Sequence, residues 1–556
     1  MNENSPSSGP TSERVIINDK VYKLKDSIEF LKFEPRNGDP PNTTAESLKI
    51  KKCEIFFSRI DHLAPTHFDE KKSRSCVCGC RGRRNFISFL NHKKLKKLAE
   101  QKPLDKKSKI IPNILTIFLL RRAEKSKWRI SYLACEFKDD VVCKNWKEKL
   151  DKDLKVFNRP KNLLIFVNPF GGKGKAKLIC NHFVRPLLDL ANLQYKVIET
   201  RRANHARDSM LTKDYGSTVD GILAVGGDGL FSEVMNGLLI RSQKDAGKNV
   251  DNRNENFAAF EHRIAAIPAG STNAFAYTLH GTDDPLTAML HVLVGDKRKI
   301  DLCSIHCGEK FDRFAFTAVS FGFLGDVLKS SEKLRCLGPP RYLVAGLKTA
   351  VKHPIYTGTI EYHSPKILQP TGGTTDLVSS TLPVNICHAN CEVCKLAAEN
   401  STVQITKAEN FKSFNEEKSS KIATEEIQNA EISFVHVIGV VTPALCKLSP
   451  SGLSPTCHLG DGIMHLAVIK EISPFRNGIY IASIMANQND HLTKSFVDVH
   501  QVTGFSYTPN LSESKTCEDG LGTWNVDGEI LPQPENTIHF RMHKQLIPVF
   551  ARGIEP

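Results

Sequence analysis

Asp228 stands between Gly227 and Gly229, with Gly226 one position further back. A carboxylate framed by residues without side chains is open to a ligand on both flanks, which suits a general base that takes a proton from a hydroxyl. The plainer role is a cap on the helix that follows, a role that does not require the glycines. Two further stretches, Asn168-Pro169-Phe170-Gly171-Gly172-Lys173-Gly174 and Gly270-Ser271-Thr272-Asn273, offer backbone N–H groups of the kind that hold phosphate at a helix start. The first is not a P-loop, because the glycine spacing and the terminal Lys-Ser/Thr pair are missing. One such loop alone could be a turn, but three in series point to a nucleotide crevice.

Each loop needs a strand before it and a helix after it. Gly221 to Val225 is a short apolar run, and Leu230, Phe231, Val234, Met235 and Leu238 recur at helical spacing. Asn162 to Val167 is a second apolar run, with Leu178, Ile179, Phe183 and Leu187 marking its helix. Ile264 to Ile267 supplies a third, before a helix that starts near Asn273. Strand and helix in alternation predict an α/β Rossmann-like layer with the loops at the carboxyl ends of the strands.

At 556 residues the chain is long enough for several domains, each with its own core. Its 16 cysteines, with a polar start MNENSPSSGP lacking the charged and apolar regions of a signal peptide, predict reduced thiols and a cytoplasmic protein. No apolar run reaches bilayer length: Ile110 to Leu120 is broken by Pro112 and Asn113, and Ile479 to Ala486 is short. Residues 51–150 hold 26 Lys plus Arg against 11 Asp plus Glu, an excess equal to the net charge of +15 for the whole chain. Such a local excess predicts peripheral attachment to anionic membrane lipids, on intracellular or plasma membranes. A nucleic-acid partner is not expected, because the region lacks zinc-finger spacing and RNP-like aromatic segments.

That basic region reads as strands at Val15 to Tyr22, Leu48 to Phe57, Ile114 to Arg121 and Trp128 to Phe137, then a helix at Val141 to Leu154 with Val142, Trp146 and Leu150 on one face. Arg74 to Arg84 (RSCVCGCRGRR) interrupts it as a basic loop. Beyond Gly295 strand-like alternation replaces helical spacing, so a boundary is expected between Gly295 and Lys299. Ser364 to Ala430 is polar and reads as an inserted loop. It carries Cys387, Cys391 and Cys394 in a C-x3-C-x2-C pattern. His388 lies between two of them, so a structural or redox role weighs slightly above zinc. Cys446 and Cys457 could also approach in space.

The segments NPFGGKGKAK, VGGDGLFSEVMNGL and IPAGSTNAFA, in that order, resemble the diacylglycerol and sphingolipid kinase superfamily. With SEKLRCLGPPRY, the cysteine cluster, SPSGLSPTCHLGDG, WNVDGE and VFARGIEP, the resemblance narrows to the ceramide kinases and spans about residues 160 to 556. It implies a multidomain protein. Residues 1–14 are expected to be disordered, 15–156 to form a pleckstrin-homology-like (PH-like) β domain that targets membranes, and 160–296 an α/β nucleotide domain of the NAD kinase and diacylglycerol kinase type. Residues 297–556 form an antiparallel β-rich lipid-binding domain with the insert at about 364–430. The implied activity is an ATP- and Mg²⁺-dependent lipid kinase that converts ceramide to ceramide 1-phosphate, with Asp228 as base. Calcium/calmodulin is carried as a candidate partner on the resemblance alone. The rival readings are a sphingosine or diacylglycerol kinase and a catalytically silent lipid-binding adaptor; NAD kinase fits poorly with the basic N-terminal region.

By the same resemblance, ATP would rest on Asn168, Pro169, Phe170, Gly171 and Gly172, on the turn Thr200-Arg201-Arg202-Ala203-Asn204, and on Gly270, Ser271 and Thr272. Glu233, Arg335, Arg341 and the late Asp527-Gly528-Glu529 segment complete the nucleotide set. For the arginines the plainer role is a surface ion pair, and for Asp527-Gly528 a β-turn. Lipid would meet Gly226 to Gly229, Asp326 and Leu328. Sphingosine kinases carry a second aspartate at the position of Leu328, where a carboxylate can pair with a cationic amine; ceramide has a neutral amide there. Asp461-Gly462 reads as a turn, although related bacterial lipid kinases hold a structural magnesium in this region.

Overall fold

The computed structural model describes residues 114–555 except 138, 173, 214–218, 335–340, 365–386, 400–411, 414–430, 448, 486–490 and 512–520. It also describes strands within residues 12–89. The chain divides into two compact units. One comprises residues 1–163, 178–195 and 284–296, and the other residues 164–177, 196–283 and 297–556.

The first unit is built on an antiparallel sheet of β1 (Ser12–Ile17), β2 (Lys20–Asp26), β3 (Phe30–Pro35), β4 (Leu48–Lys51), β5 (Ile55–Asp61), β6 (Ser88–Phe89), β7 (Ile114–Arg122) and β8 (Trp128–Glu136). The strand order is β4-β3-β2-β1-β8-β7-β5, with β6 beside β8. The expected strand Val15 to Tyr22 is two strands, β1 and β2, paired as a hairpin. The helix Asp140–Leu154 follows, capped by the Asp139 carboxylate, which accepts from the Val141 N–H at 2.6 Å. Its face of Cys143, Trp146, Leu150 and Leu154 closes a core with Leu115, Ile117, Leu119 and Leu133. β7 is buried on both faces along seven residues. Such a strand reads as a continuous apolar run rather than an alternation, and ILTIFLL does so. The other face is covered by the helix Pro285–Val294, which packs on β8 and β5. Trp128 stacks on His291 at 3.8 Å, its N–H donates to Thr287 Oγ1 at 3.0 Å, and Arg129 pairs with Asp284 at 2.8 Å. The basic insert Arg74 to Arg84 lies outside the described residues.

The helix after the first glycine loop is not uniform. It runs as Ala176–Ile179, a π-turn at Cys180–Val184, and Arg185–Leu190. The extra residue rotates the buried face, so Ile179, Cys180, Val184, Leu187 and Leu188 are buried while the expected Leu178 is 54% exposed.

In the second unit β9 (Asn162–Val167), β10 (Gln194–Glu199), β11 (Gly221–Gly226) and β12 (Arg263–Pro268) form a sheet in the order β10-β9-β11-β12. β11 and β12 are parallel, with Gly226 opposite Pro268, which brings their carboxyl ends level. The sheet continues through strands of the second half: β13 (Arg298–Cys307), β14 (Lys310–Ala315), β15 (Ala318–Gly322), β16 (Tyr356–His363), β17 (Lys412–Ser413), β18 (Glu431–Val440), β19 (Met464–Lys470), β20 (Val497–Val502), β21 (Gly504–Pro509), β22 (Thr523–Val526), β23 (Glu529–Pro532) and β24 (Ile538–Val549). β24 joins the two parts, bridging parallel to β12 at Ile264–Val549 and antiparallel to β13 and β21. The parallel part is covered by the helix Asp228–Asp245, whose Leu230, Phe231, Val234, Met235 and Leu238 are buried as their spacing predicts. The antiparallel part closes on an aromatic core of Phe321, Tyr356, Phe434, Tyr507, Trp524 and Phe540. Among the described residues no helix is long and apolar enough to cross a membrane.

Candidate active site

Three loops meet at the carboxyl ends of β9, β11 and β12, and they meet backbone to backbone. A Cβ on Gly172 would stand 2.8 Å from the Gly270 Cα, and one on Gly270 would stand 2.5 Å from the Gly227 Cα. Only glycine permits that approach, so one glycine of each motif, Gly172, Gly227 and Gly270, is explained by one packing event. The loops are tied further by main-chain bonds, Asn168 N–H to Val225 O at 3.2 Å and Ala269 N–H to Gly226 O at 2.8 Å. Asn168 turns its own loop by accepting from the N–H groups of Phe170 and Gly171 at 3.0 and 3.1 Å. Asn273, in the left-handed region at φ 54°, accepts from the Gly270 N–H at 2.8 Å. Ser271 and Thr272 between them are exposed.

Asp228 is the first residue of its helix, and its carboxylate does not cap that helix. Its two oxygens accept from the Ala274 and Phe275 N–H groups at 3.1 and 3.0 Å, at the start of the helix Ala274–His280. The aspartate therefore locks the second loop to the third. Burial raises its carboxyl above the usual range, and the Phe275 and Ala274 N–H bonds oppose that rise. A carboxylate held by two donors keeps lone pairs for a third, and a raised pKa makes it a better proton acceptor.

The late segment returns to this place. Asp527 (φ 50°) and Gly528 (φ 87°) form the two-residue turn between β22 and β23, with Val526 opposite Glu529. The turn does more than reverse the chain. The Asp527 carboxylate accepts from the N–H groups of Phe316, Thr317 and Ala318 at 2.8, 2.8 and 3.1 Å. Its carboxyl is pushed up to about 7 by burial against those bonds, with the charge of Asp228 adding to the rise. Glu529 lies 3.5 Å from where a Gly229 Cβ would stand, and Arg313 donates to it at 2.6 Å. Glu233 accepts from the Ala206 N–H at 3.1 Å, and its carboxyl is raised mainly by burial, with a contribution from Glu529. Asp228, Asp527, Glu529 and Glu233 thus gather acidic charge at the loops, with Arg313 as a counter-charge. Arg313 was not foreseen from the sequence. The available signal was a cation inside the apolar strand FDRFAF.

The Thr200 to Asn204 turn lies beside the first loop. Thr200 is buried and its N–H donates to Val167 O at 2.9 Å; Asn204 takes φ 60°, and Arg202 pairs with Asp208 at 2.6 Å. An open cleft of about 700 Å³ is lined by Pro169, Phe170, Thr200, Arg201, His205, Lys177, Lys196 and Lys213 among others. Phe170 is 75% exposed on its rim. The cleft is cationic, with one aromatic edge.

The remaining candidates are more dispersed. Asp326 accepts a short hydrogen bond from the Tyr356 hydroxyl, and burial pushes its carboxyl to about 6. Leu328, two residues on, is buried in the helix Phe323–Glu332. Arg341 pairs with Glu332 at 3.7 Å, and Arg335 lies outside the described residues. Asp461 accepts from the Ile463 N–H at 3.0 Å as a turn residue, and the buried Asp301 accepts from Gly462 and Gln545 beside it. Cys446 and Cys457 are both free thiols. Cys387, Cys391 and Cys394 do come together, but their fourth neighbour is His458, not the His388 between them. His388 instead makes a β-bridge to Ile554.

A sheet with parallel strands, three fused glycine loops at their carboxyl ends, a buried aspartate between two of them and an acidic hairpin beside them make an α/β layer of the nucleotide-binding type. The family model described as the diacylglycerol kinase catalytic domain matches residues 162–305, and the one described as the ceramide kinase C-terminal domain matches residues 384–556. Ceramide kinase 1 of Caenorhabditis elegans is 35% identical over 438 residues, covering 78% of this chain and 73% of its own. The ceramide kinase of Homo sapiens is 34% identical over 467 residues, with 80% and 83% covered, and that of Mus musculus 33%, with 80% and 84%. The chain belongs to the ceramide kinase family.

Proposed function

We propose that the protein transfers the γ-phosphoryl group of ATP to the primary hydroxyl of ceramide, giving ceramide 1-phosphate. The observation that carries this reading is the backbone contact of Gly172, Gly227 and Gly270, which brings three glycine loops together beside the Asp228 carboxylate in a chain of this family. The loops use the N–H groups of Asn168, Phe170, Gly171, Gly174 and Gly270 to hold their own shape, so the nucleotide phosphates lie on those of Gly172, Ser271 and Thr272, with the cationic cleft beside Thr200 to Asn204 receiving the rest of ATP. Asp228 accepts the hydroxyl proton as the lipid oxygen attacks phosphorus, while Ala274 and Phe275 fix its orientation. Mg²⁺, when bound with ATP, neutralises charge on the phosphates. Hard oxygen donors suit it, and one or two carboxylates are the usual protein share; the partly exposed Glu529 fits that share, whereas the Asp527 oxygens are already taken by three backbone N–H groups.

Ceramide rather than sphingosine is favoured by Leu328, an apolar group two residues beyond Asp326 in a buried helix face. A second carboxylate here would lose solvation with no cationic amine to offset it. Leu328→Asp should lower turnover of ceramide about tenfold while raising the relative use of sphingosine, and Leu328→Ala should not raise it. An unchanged ratio of the two lipids in Leu328→Asp would remove Leu328 from the specificity argument.

The N-terminal sheet and its closing helix support a PH-like module, and its excess of positive charge supports attachment to anionic lipid surfaces. Truncation at residue 151 would cut the helix Asp140–Leu154 and remove Trp128 from its stack on His291, so charge reversal is the cleaner test. Replacing several lysines between Lys93 and Lys109 by glutamate should weaken binding to acidic liposomes and flatten its salt dependence. Undiminished binding would reject this surface.

A further inference from the structure

The segment 387–399 puts little apolar surface into the second unit: Cys387 joins the core, with Cys391 and Cys394 packed against it. The helix Glu392–Glu399 buries none of its residues, and eight residues are too few for a helix to persist in water unaided. Its polar tethers run from Gln545 to Cys394 O, from Lys544 to Ala397 O and from Arg298 to His388 O, at 3.0, 2.7 and 3.2 Å. Beneath them the donor atoms of Cys387, Cys391, Cys394 and His458 all lie within 4.8 Å of one another.

The local chain builds this cluster. Ala389 N–H bonds to Ile554 O at 2.8 Å, Asn390 turns the chain at φ 62°, and Cys391 N–H bonds back to His388 O at 3.2 Å. Cys391 and Cys394, three residues apart at the helix start, then face the same way, toward the buried Cys387. His458 arrives from the loop before β19, 67 residues beyond Cys391. The sulfurs of Cys387 and Cys394 are 3.7 Å apart, and Cys391 Sγ is 3.3 Å from His458 Nδ1. A disulfide needs about 2.05 Å. A tetrahedron with metal–sulfur bonds of about 2.3 Å and a metal–nitrogen bond of about 2.0 Å has edges of roughly 3.5–3.8 Å, close to both spacings.

We propose that Cys387, Cys391, Cys394 and His458 bind one zinc ion at a closed structural site that fastens the 387–399 segment to the loop carrying His458. Three sulfurs and one imidazole are a four-donor set with no position left for water or substrate, which separates a structural zinc from a catalytic one. The charge closes as well. Three thiolates with Zn²⁺ leave one negative charge, and Arg298 donates to Cys387 Sγ at 3.0 Å and to Cys394 Sγ at 3.2 Å. Such hydrogen bonds to ligand sulfur orient the ligands and tune the metal. This site does not depend on which lipid the protein phosphorylates.

The test is metal analysis of the purified full chain under reducing conditions. One equivalent of zinc is expected in the wild type, with near-complete loss in Cys391→Ser and His458→Ala and retention in His458→Cys, which restores a fourth donor. Cys446→Ser, outside the cluster, should keep its zinc. Cobalt in place of zinc should give the thiolate charge-transfer band of a tetrahedral site, absent from Cys391→Ser. Wild-type protein without zinc that takes up no cobalt would overturn the proposal, as would zinc undiminished in Cys391→Ser. A Cys387–Cys394 disulfide found by mass spectrometry in the reduced preparation would also do so.

Discussion

Asp228→Asn is expected to keep ATP binding and to lower turnover by about two orders of magnitude or more, the range typical of a lost general base. The substitution is nearly isosteric, but an amide presents one acceptor and one donor where the carboxylate presents two acceptors. One of the N–H groups of Ala274 and Phe275 therefore loses its partner, and the thermal midpoint should be recorded beside the kinetics to separate that loss from the chemistry. The pH profile gives a second separation. Burial raises the Asp228 carboxyl, and the base must be ionised, so turnover should fall as pH drops through that raised value. In Asp228→Asn the residual rate should lack that acidic limb. Turnover close to wild type would eliminate Asp228 as the base and leave it the role of joining two loops.

Gly270→Ala should be the most damaging single methyl in the nucleotide site. The new Cβ would lie 2.5 Å from the Gly227 Cα and 3.2 Å from its nitrogen, so one loop must move. Overpacking of this kind costs about 1–3 kcal/mol of stability, whereas a displacement of about 1 Å at a reacting centre can cost about 100-fold in rate. We therefore expect kcat/KM for ATP to fall by about that factor while the fold survives. Gly478→Ala is the control, since a Cβ there meets nothing within 4 Å. A Gly270→Ala enzyme with ordinary kinetics would mean that the three loops do not act as one phosphate cradle.

The parts of this site that were legible in the sequence are those encoded locally. A buried strand, a glycine loop and an amphipathic helix fit within about twenty residues, and each of the three units can be read without its neighbours. What closes the site is encoded at long range. Arg313 reaches Glu529 across 216 residues, and His458 reaches Cys391 across 67; neither spacing marks a pair in the chain. The phase of the helix after the first loop was misread at Leu178 because a π-turn adds a residue to one turn, and periodicity assumes that none is added. The sequence offers Asp228 as a cap of its own helix or as a base. It caps a different helix, a possibility that requires knowing that β11 and β12 are neighbours.

The central claim is tested most directly by incubating the purified wild-type chain with γ-labelled ATP, Mg²⁺ and, in separate vesicles, ceramide, sphingosine or diacylglycerol, and identifying the labelled lipid. Label should appear in ceramide 1-phosphate, by a wide margin over both other products, and should fall by about two orders of magnitude or more with Asp228→Asn. Sphingosine phosphorylated as efficiently as ceramide, or no labelled lipid at all, would contradict the account.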